Sequence, residues 1–334
     1  MRSIGRKTKR KRLSLSILMI FVVSIFYGCK NKEEKYIKVD LNSGAIAIEK
    51  SGEYNVYNFS NGIYEKVELG YVITSFDSQS GNFIFNQNGE FKVNYLGEEF
   101  LINENDNDNI YSAKLSRGGN YLSYFVKNGY LDLKIKDLAE NKNIDINSNV
   151  YISGELLDWL DKDTLVYYGV DKNKNNGLFI YNIKEGTEEL LYKLDSGYVE
   201  YLKVLDNGLV FLQEKEGKQK YLKFINETGE VSYSLNNIVE AIDIEETSNG
   251  VFVLGKVENN NYSLYELKDG KIKRLVYDFP KIINLEKGLS KDSEGNILFV
   301  GGEDIDNQKI YICIDEAISS IDVEDGNYYF IEYN

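Results

Sequence analysis

The chain repeats one short phrase: a polar turn, in most copies containing Gly, followed at once by apolar and aromatic residues. It reads Asn42-Ser43-Gly44 before Ala45-Ile46-Ala47-Ile48, Ser80-Gly81-Asn82 before Phe83-Ile84-Phe85, and Gly118-Gly119-Asn120 before Tyr121-Leu122. Asp161-Lys162-Asp163, Asp206-Asn207-Gly208, Ser248-Asn249-Gly250 and Glu294-Gly295-Asn296 introduce further apolar runs, and Asp325-Gly326-Asn327 introduces the last, Tyr328-Tyr329-Phe330-Ile331. Most successive turns lie roughly 40 residues apart, the length of one four-stranded propeller blade. One such unit cannot bury its own apolar strands, so the units must stack on one another.

The spacing predicts an all-β chain with a single β-propeller of four-stranded blades over residues 36–334. Seven blades fit, with six or eight left open, since Lys35 to Gly44 also reads as a third strand and its turn. In the clearest unit the strands are Tyr111 to Leu115, Tyr121 to Val126, Tyr130 to Asp137 and Asn143 to Asn147, with Lys127-Asn128-Gly129 as the hairpin turn between the second and third. Second strands such as Leu209-Val210-Phe211-Leu212 and Ile297-Leu298-Phe299-Val300 are apolar at consecutive positions, which requires cover on both faces. Outer strands such as Lys271-Ile272-Lys273-Arg274-Leu275 alternate, as a half-exposed edge does. Ring closure is expected between Tyr328 to Tyr333 and either Tyr36 to Val39 or Ala45 to Glu49.

The amino terminus carries a different message. Arg2, Arg6, Lys7, Lys9, Arg10, Lys11 and Arg12 precede an apolar stretch from Leu13 to Tyr27, the plan of an export signal. That stretch falls short of the roughly 20 residues that cross a hydrocarbon core. It ends in Phe26-Tyr27-Gly28-Cys29 and turns polar at once in Lys30 to Lys35. Here the chain resembles bacterial lipoproteins, whose lipobox places a small residue before a cysteine that is lipidated and becomes the new first residue. Gly28 and Cys29 match; Phe26 and Tyr27 depart from the usual pattern. The resemblance implies cleavage between Gly28 and Cys29, a signal peptide over 1–28, a lipidated Cys29 with a polar tether over 29–35, and a location on the extracytoplasmic side of the cell membrane. The Asn, Lys, Ile and Tyr bias is similar to that of low-GC Gram-positive bacteria.

The repeats resemble the TolB-like, WD-repeat-like propellers, in which each blade carries a polar Gly turn before its second strand. Leu115-Ser116-Arg117-Gly118-Gly119-Asn120-Tyr121 comes nearest, followed by Leu131, Lys134, Asp137 and Leu138 in the third strand, although the prolines usual in those turns are missing. The resemblance implies a fold and a binding role.

Composition narrows the chemistry. The chain has no histidine, so neither a Ser-His-Asp nor a Cys-His site can be built, and imidazole metal ligands are absent. Lys and Arg number 39 and Asp and Glu 53; seven of the basic residues lie before Gly28, so cleavage leaves 32 against 53, a net charge of −21. Such a surface disfavours phosphate backbones and argues against nucleic acid as a partner. Cys313 lacks an intramolecular partner once Cys29 is lipidated and reads as a buried small hydrophobe.

Candidate sites are few. Asp171-Lys172-Asn173-Lys174-Asn175-Asn176-Gly177 begins like a calcium loop, but its Gly comes one place late and Asn182 stands where the twelfth-position Glu belongs. Asn103 to Asn109 offers oxygen donors without the glycine. Both read as solvated loops. Ser290-Lys291-Asp292-Ser293-Glu294-Gly295 has one residue too many for a sialidase box and lacks its Trp, so it reads as a blade turn. The 27 tyrosines include the doublets Tyr167-Tyr168 and Tyr328-Tyr329, each expected to bury one ring. The expected protein is therefore a lipid-anchored, non-catalytic binding or scaffold module for a protein or envelope component, with no metal, no cofactor and no catalytic residue. The competing reading is a carboxylate-based propeller enzyme that hydrolyses a glycan or lactone, with a divalent ion as an optional helper.

Overall fold

A computed structural model describes residues 39–102, 110–127, 129–268 and 270–334. Cys29, the segments 1–28 and 29–35, Tyr36 to Lys38 of one expected closure partner, the whole Asn103 to Asn109 loop, and Asn128 of the hairpin turn therefore lie outside the described residues. Seven sheets, antiparallel but for one two-residue pairing, make up the described chain, the seven-bladed propeller that the repeats predict. Among the described residues the only helical elements are single 3-10 turns at Glu216–Lys218 and Leu285–Lys287.

Chain order becomes blade order. Blades 2 to 6 have as inner strands Val72–Phe76, Ile110–Leu115, Val150–Trp159, Tyr198–Leu205 and Ile238–Thr247, each followed by three strands running outward. In blade 7 the inner strand is broken into Ile282–Ile283 and Leu289–Lys291 around a 3-10 turn, and both pieces pair with Ile297–Gly302. Blade 1 is composite: its inner strand Asn327–Phe330 comes from the far end of the sequence and pairs with Ile46–Lys50, placing Tyr328 opposite Ile48. Closure thus uses the second of the two predicted partners. One strand was not foreseen: Glu332–Tyr333 runs parallel to Val72–Phe76, adding a fifth strand to blade 2 on its axial side.

The core lies between blades. Second strands supply it because both their faces are covered: every residue of Ile297–Gly302 is buried, as are the first six of Thr164–Asp171. Ile46, Ile48 and Tyr328 of blade 1 meet Leu298, Val300, Ile310 and Ile312 of blade 7 in one cluster. Aromatic rings fill the widest gaps; Tyr124, Tyr167, Tyr265 and Tyr328 are each below 2% exposed. Tyr168 is buried beside Tyr167, whereas Tyr329 is exposed beside Tyr328, so only the second doublet divides as expected. Cys313 is free and buried on the core side of blade 7, and burial pushes its thiol up to about 11.

The closeness of strands within a blade shows in one glycine pair. Gly197 has φ +77 and a Cβ there would stand 1.8 Å from the Glu214 carbonyl oxygen, whereas Gly52 has φ +83 with open space around it. Gly52→Ala is expected to cost about 1 kcal/mol from backbone strain alone. Gly197→Ala is expected to cost at least about 2 kcal/mol, because the backbone of the neighbouring strand must also move. Chemical denaturation of the two variants checks the ordering.

Candidate functional site

Inner strands are where this fold places its charges. Five of them carry a register irregularity: between Ile73 and Ser75, Tyr111 and Lys114, Ile152 and Leu157, Val199 and Tyr201, and Ala241 and Asp243. A bulge inserts an unpaired residue, bends the strand and re-aims the side chains beyond it. Lys114, Asp158, Lys203 and Asp243 all follow such a bulge, and all line one axial cavity of about 700 Å³. Residues in or adjoining the inner strands of all seven blades contribute to its wall.

The charges interlock across blades. Lys114 Nζ lies 3.2 Å from Asp158 Oδ1 and 3.9 Å from Glu332, the side chain that the extra axial strand brings in. Lys203 Nζ lies 3.0 Å from Asp243 Oδ1 and 2.5 Å from Glu245 Oε1. The carboxylates also accept from backbone. Asp158 Oδ2 takes the Val204 N–H at 2.8 Å, and Asp243 takes those of Ile244 and Leu289, each at 2.8 Å. One side chain therefore ties together two blades, as Asp243 does for blades 6 and 7.

Lys114, Lys203 and Glu332 are enclosed by protein yet keep 28%, 26% and 39% of their side-chain surface, turned toward the cavity. Burial alone would lower Lys203, but Asp243 and Glu245 outweigh it and hold the ammonium well above the ordinary lysine value. Burial likewise works against Lys114, and Asp158 and Glu332 more than offset it. Glu332 goes the other way: burial raises its carboxyl, with Lys114 opposing and Asp158 reinforcing the rise. Burial also lowers Lys287, whose ammonium sits 3.8 Å over the Tyr329 ring.

Two of the loops singled out in the sequence serve their own turns. Asp171 Oδ1 accepts from the backbone of Asn173 and Asn175, and Oδ2 from the Asn175 side chain at 2.8 Å, which occupies both oxygens without an ion. Asp292 does the same for Glu294 and Asn296, making the Ser290 to Gly295 segment a blade turn. No group of three or more His, Cys, Asp or Glu among the described residues is arranged to hold a metal ion. The cavity residues were missed from sequence, although one signal was available: a charged residue shortly before the polar turn in successive repeats, as at Lys114, Asp158 and Lys203.

With this geometry in hand, comparison with known proteins gives fold similarity alone. No protein-family model and no curated protein matches the chain. Among solved structures, a prolyl endopeptidase superposes with TM-score 0.54 at 10% identity over 84% of this chain. The chain spans 51% of that protein's length. The propeller domain of the Trilobed protease from Pyrococcus furiosus matches with TM-score 0.49 at 13% identity, over 87% of this chain and 88% of that one. TolB from Acinetobacter baumannii matches with TM-score 0.45 at 11% identity, over 86% and 80%. One expectation needs correction. The chain was expected not to be an enzyme, but a propeller of the same fold occurs in a prolyl endopeptidase, so the architecture gives no ground for that exclusion.

Proposed function

We propose that this protein is a lipid-anchored, extracytoplasmic propeller that recognises a protein or another envelope component through its polar axial cavity. The observation that carries this reading is the cavity of about 700 Å³, lined by the interlocked charges of Lys114, Asp158, Lys203, Asp243, Glu245 and Glu332. Its volume falls in the range of ordinary ligand sites. Groups fixed by hydrogen bonds from neighbouring blades are preorganised, which lowers the entropy lost on binding. Cys29 supplies the membrane address in this reading, two acyl chains being enough for stable anchoring.

A photo-crosslinking residue tests the recognition face. Placed at Asp206, two-thirds exposed at the cavity rim, it is expected to give adducts in intact membranes. Placed at Ile63, 60% exposed on an outer strand, it is expected to give none. Equal adduct formation at both positions would remove the cavity from the argument. The address is tested separately: Cys29→Ala is expected to move the protein out of the membrane fraction, and an unprocessed chain still at the membrane would mean an uncleaved anchor.

A second reading has one specific observation in its favour. Glu332 and Asp158 both approach Lys114 in the cavity, and burial, reinforced by Asp158, raises the Glu332 carboxyl above its ordinary value. Two carboxyl groups in one site are the kind of pair that glycoside hydrolysis uses. Release of reducing sugar from cell-wall glycans, abolished in Glu332→Gln, would favour it; no turnover by the wild type would remove it.

A further inference from the structure

The rim of the cavity distributes its hydrogen-bonding capacity unevenly. Acidic side chains there are already engaged by turns of their own or a neighbouring blade. Asp77 Oδ1 accepts from Ser80 N at 2.8 Å and Ser80 Oγ at 2.6 Å, and its Oδ2 accepts from Gly118 N at 2.8 Å. Glu246 accepts from the backbone of Asp206 and Asn207 and from the Asn207 side chain. Two cations on the same rim are not so engaged. Arg117 donates once, from a terminal guanidinium nitrogen to the Leu205 carbonyl at 3.1 Å, and among the described residues no carboxylate lies within 4.0 Å of it. A guanidinium carries five donors in a fixed fork, so most of them remain. Lys291 donates to the Glu246 carbonyl at 2.8 Å, and the nearest carboxylates, Asp206 at 3.7 Å and Glu245 at 3.8 Å, are beyond hydrogen-bond length.

Both cations meet the same turn. Arg117 reaches Leu205, Lys291 lies 3.7 Å from the adjacent Asp206, and both side chains line the same cavity. The turn that carries Arg117 is rigid: Asn82 Nδ2 donates to Gly119 O at 2.9 Å, and Tyr121 N donates to Ser116 Oγ at 3.0 Å. A Cβ on Gly119 would meet Ser80 Oγ at 2.5 Å, so this turn is packed directly on blade 2.

We propose that the rim binds an oxyanion, a carboxylate or phosphate group of the ligand, in the donor fork of Arg117 with Lys291 as the second contact. Arginine suits this role because its planar fork matches two oxygens at once. The net negative charge, −14 for the full sequence, opposes anions at long range, but beyond about 8 Å it is screened at physiological salt, leaving local donors to decide. Asp206, two-thirds exposed and 3.7 Å from Lys291, competes with the ligand for that ammonium, as does the less exposed Glu245 at 3.8 Å. The inference rests on the axial cavity being the recognition site.

The test is calorimetric titration of the detergent-solubilised full chain with inorganic phosphate and, separately, with succinate at constant ionic strength. Trp159 gives a second readout, since it is the one tryptophan of the chain and lines the cavity. Saturable binding of one oxyanion is expected, and which of the two binds tells phosphate from carboxylate. Arg117→Gln is expected to weaken it by about tenfold or more, the loss of charged hydrogen bonds. Arg117→Lys, which keeps the charge and loses the fork, is expected to weaken it too, and Asp206→Asn to strengthen it. Lys142→Gln, on an outer strand, removes the same charge and is expected to change nothing. Absence of saturable binding to either anion, or undiminished binding in both Arg117 variants, overturns the proposal. Rim crosslinking from Asp206 without oxyanion binding would reject this chemistry and leave the cavity reading intact; loss of both would reject the two together.

Discussion

Tyr328→Ala is expected to lower the free energy of unfolding by about 3–5 kcal/mol, the range for deleting a large buried aromatic side chain. Tyr328 is 1% exposed and packs among Ile46, Ile48, Leu298, Val300, Ile310 and Ile312, where blade 1 meets blade 7. Its strand also closes the ring, pairing Tyr328 with Ile48 across 280 positions of sequence. Total stabilities of about 5–15 kcal/mol are usual, so this one site accounts for a large share. The next residue is the control: Tyr329 points the other way, is 38% exposed, and its replacement by Ala is expected to cost no more than about 1 kcal/mol. Urea denaturation of both variants compares the two midpoints. Equal midpoints would mean that the strand Asn327–Phe330 does not complete blade 1.

The repeats made the propeller legible because its turns and second strands are dictated locally. Gly44 shows why the turn is written so clearly: it has φ +88, and a Cβ there would stand 2.7 Å from Leu298 of blade 7. The consecutive apolar residues of Ile297–Gly302 are equally explicit, since a strand covered on both faces has no polar alternation. Closure followed from the surplus eighth turn at Asp325 to Asn327.

The cavity was not legible, for two physical reasons. An inner strand such as Ile110–Leu115 has a polar face whether that face meets bulk water or the ring axis, so Lys114 looks like an ordinary surface lysine. The bulges add a second obstacle: an inserted residue resets the period of two, and the side chain aimed at the axis no longer falls where alternation would put it. Glu332–Tyr333 is hidden for a different reason. Two residues carry no period at all, and only the assembled blade 2 offers them an edge. Sequence thus states how each blade is built, while the chemistry at the axis depends on neighbours 40 to 50 residues away, as in the pairs Lys114–Asp158 and Lys203–Asp243.

Lys203→Met tests that chemistry most severely. The substitution keeps much of the side-chain length and removes the charge, leaving Asp243 and Glu245 facing each other without the ammonium that lies 3.0 and 2.5 Å from them. Breaking a fully buried pair costs about 3–5 kcal/mol; here cavity water reaches 26% of the lysine and 22% and 16% of its partners, so about 2 kcal/mol is expected. The pH dependence identifies the cause. The folded-state pKa of Lys203 lies well above the ordinary 10.5, so its contribution is complete below that value and is lost as pH rises through the folded one. Wild type and variant should therefore differ by a constant amount near neutrality, with the gap closing only above about pH 10.5. Taking the difference between the two proteins cancels the titration of lysines and tyrosines outside this network, whereas Tyr201, which interacts with both Lys203 and Asp243, stays in the difference. A second change, Glu245→Gln in the Lys203→Met background, removes one of the two stranded carboxylates and is expected to recover part of the loss, because residues in one network are not additive. If the gap is instead insensitive to alkaline pH and the second change recovers nothing, the lysine acts by packing alone, and the charge network does not hold the axis together.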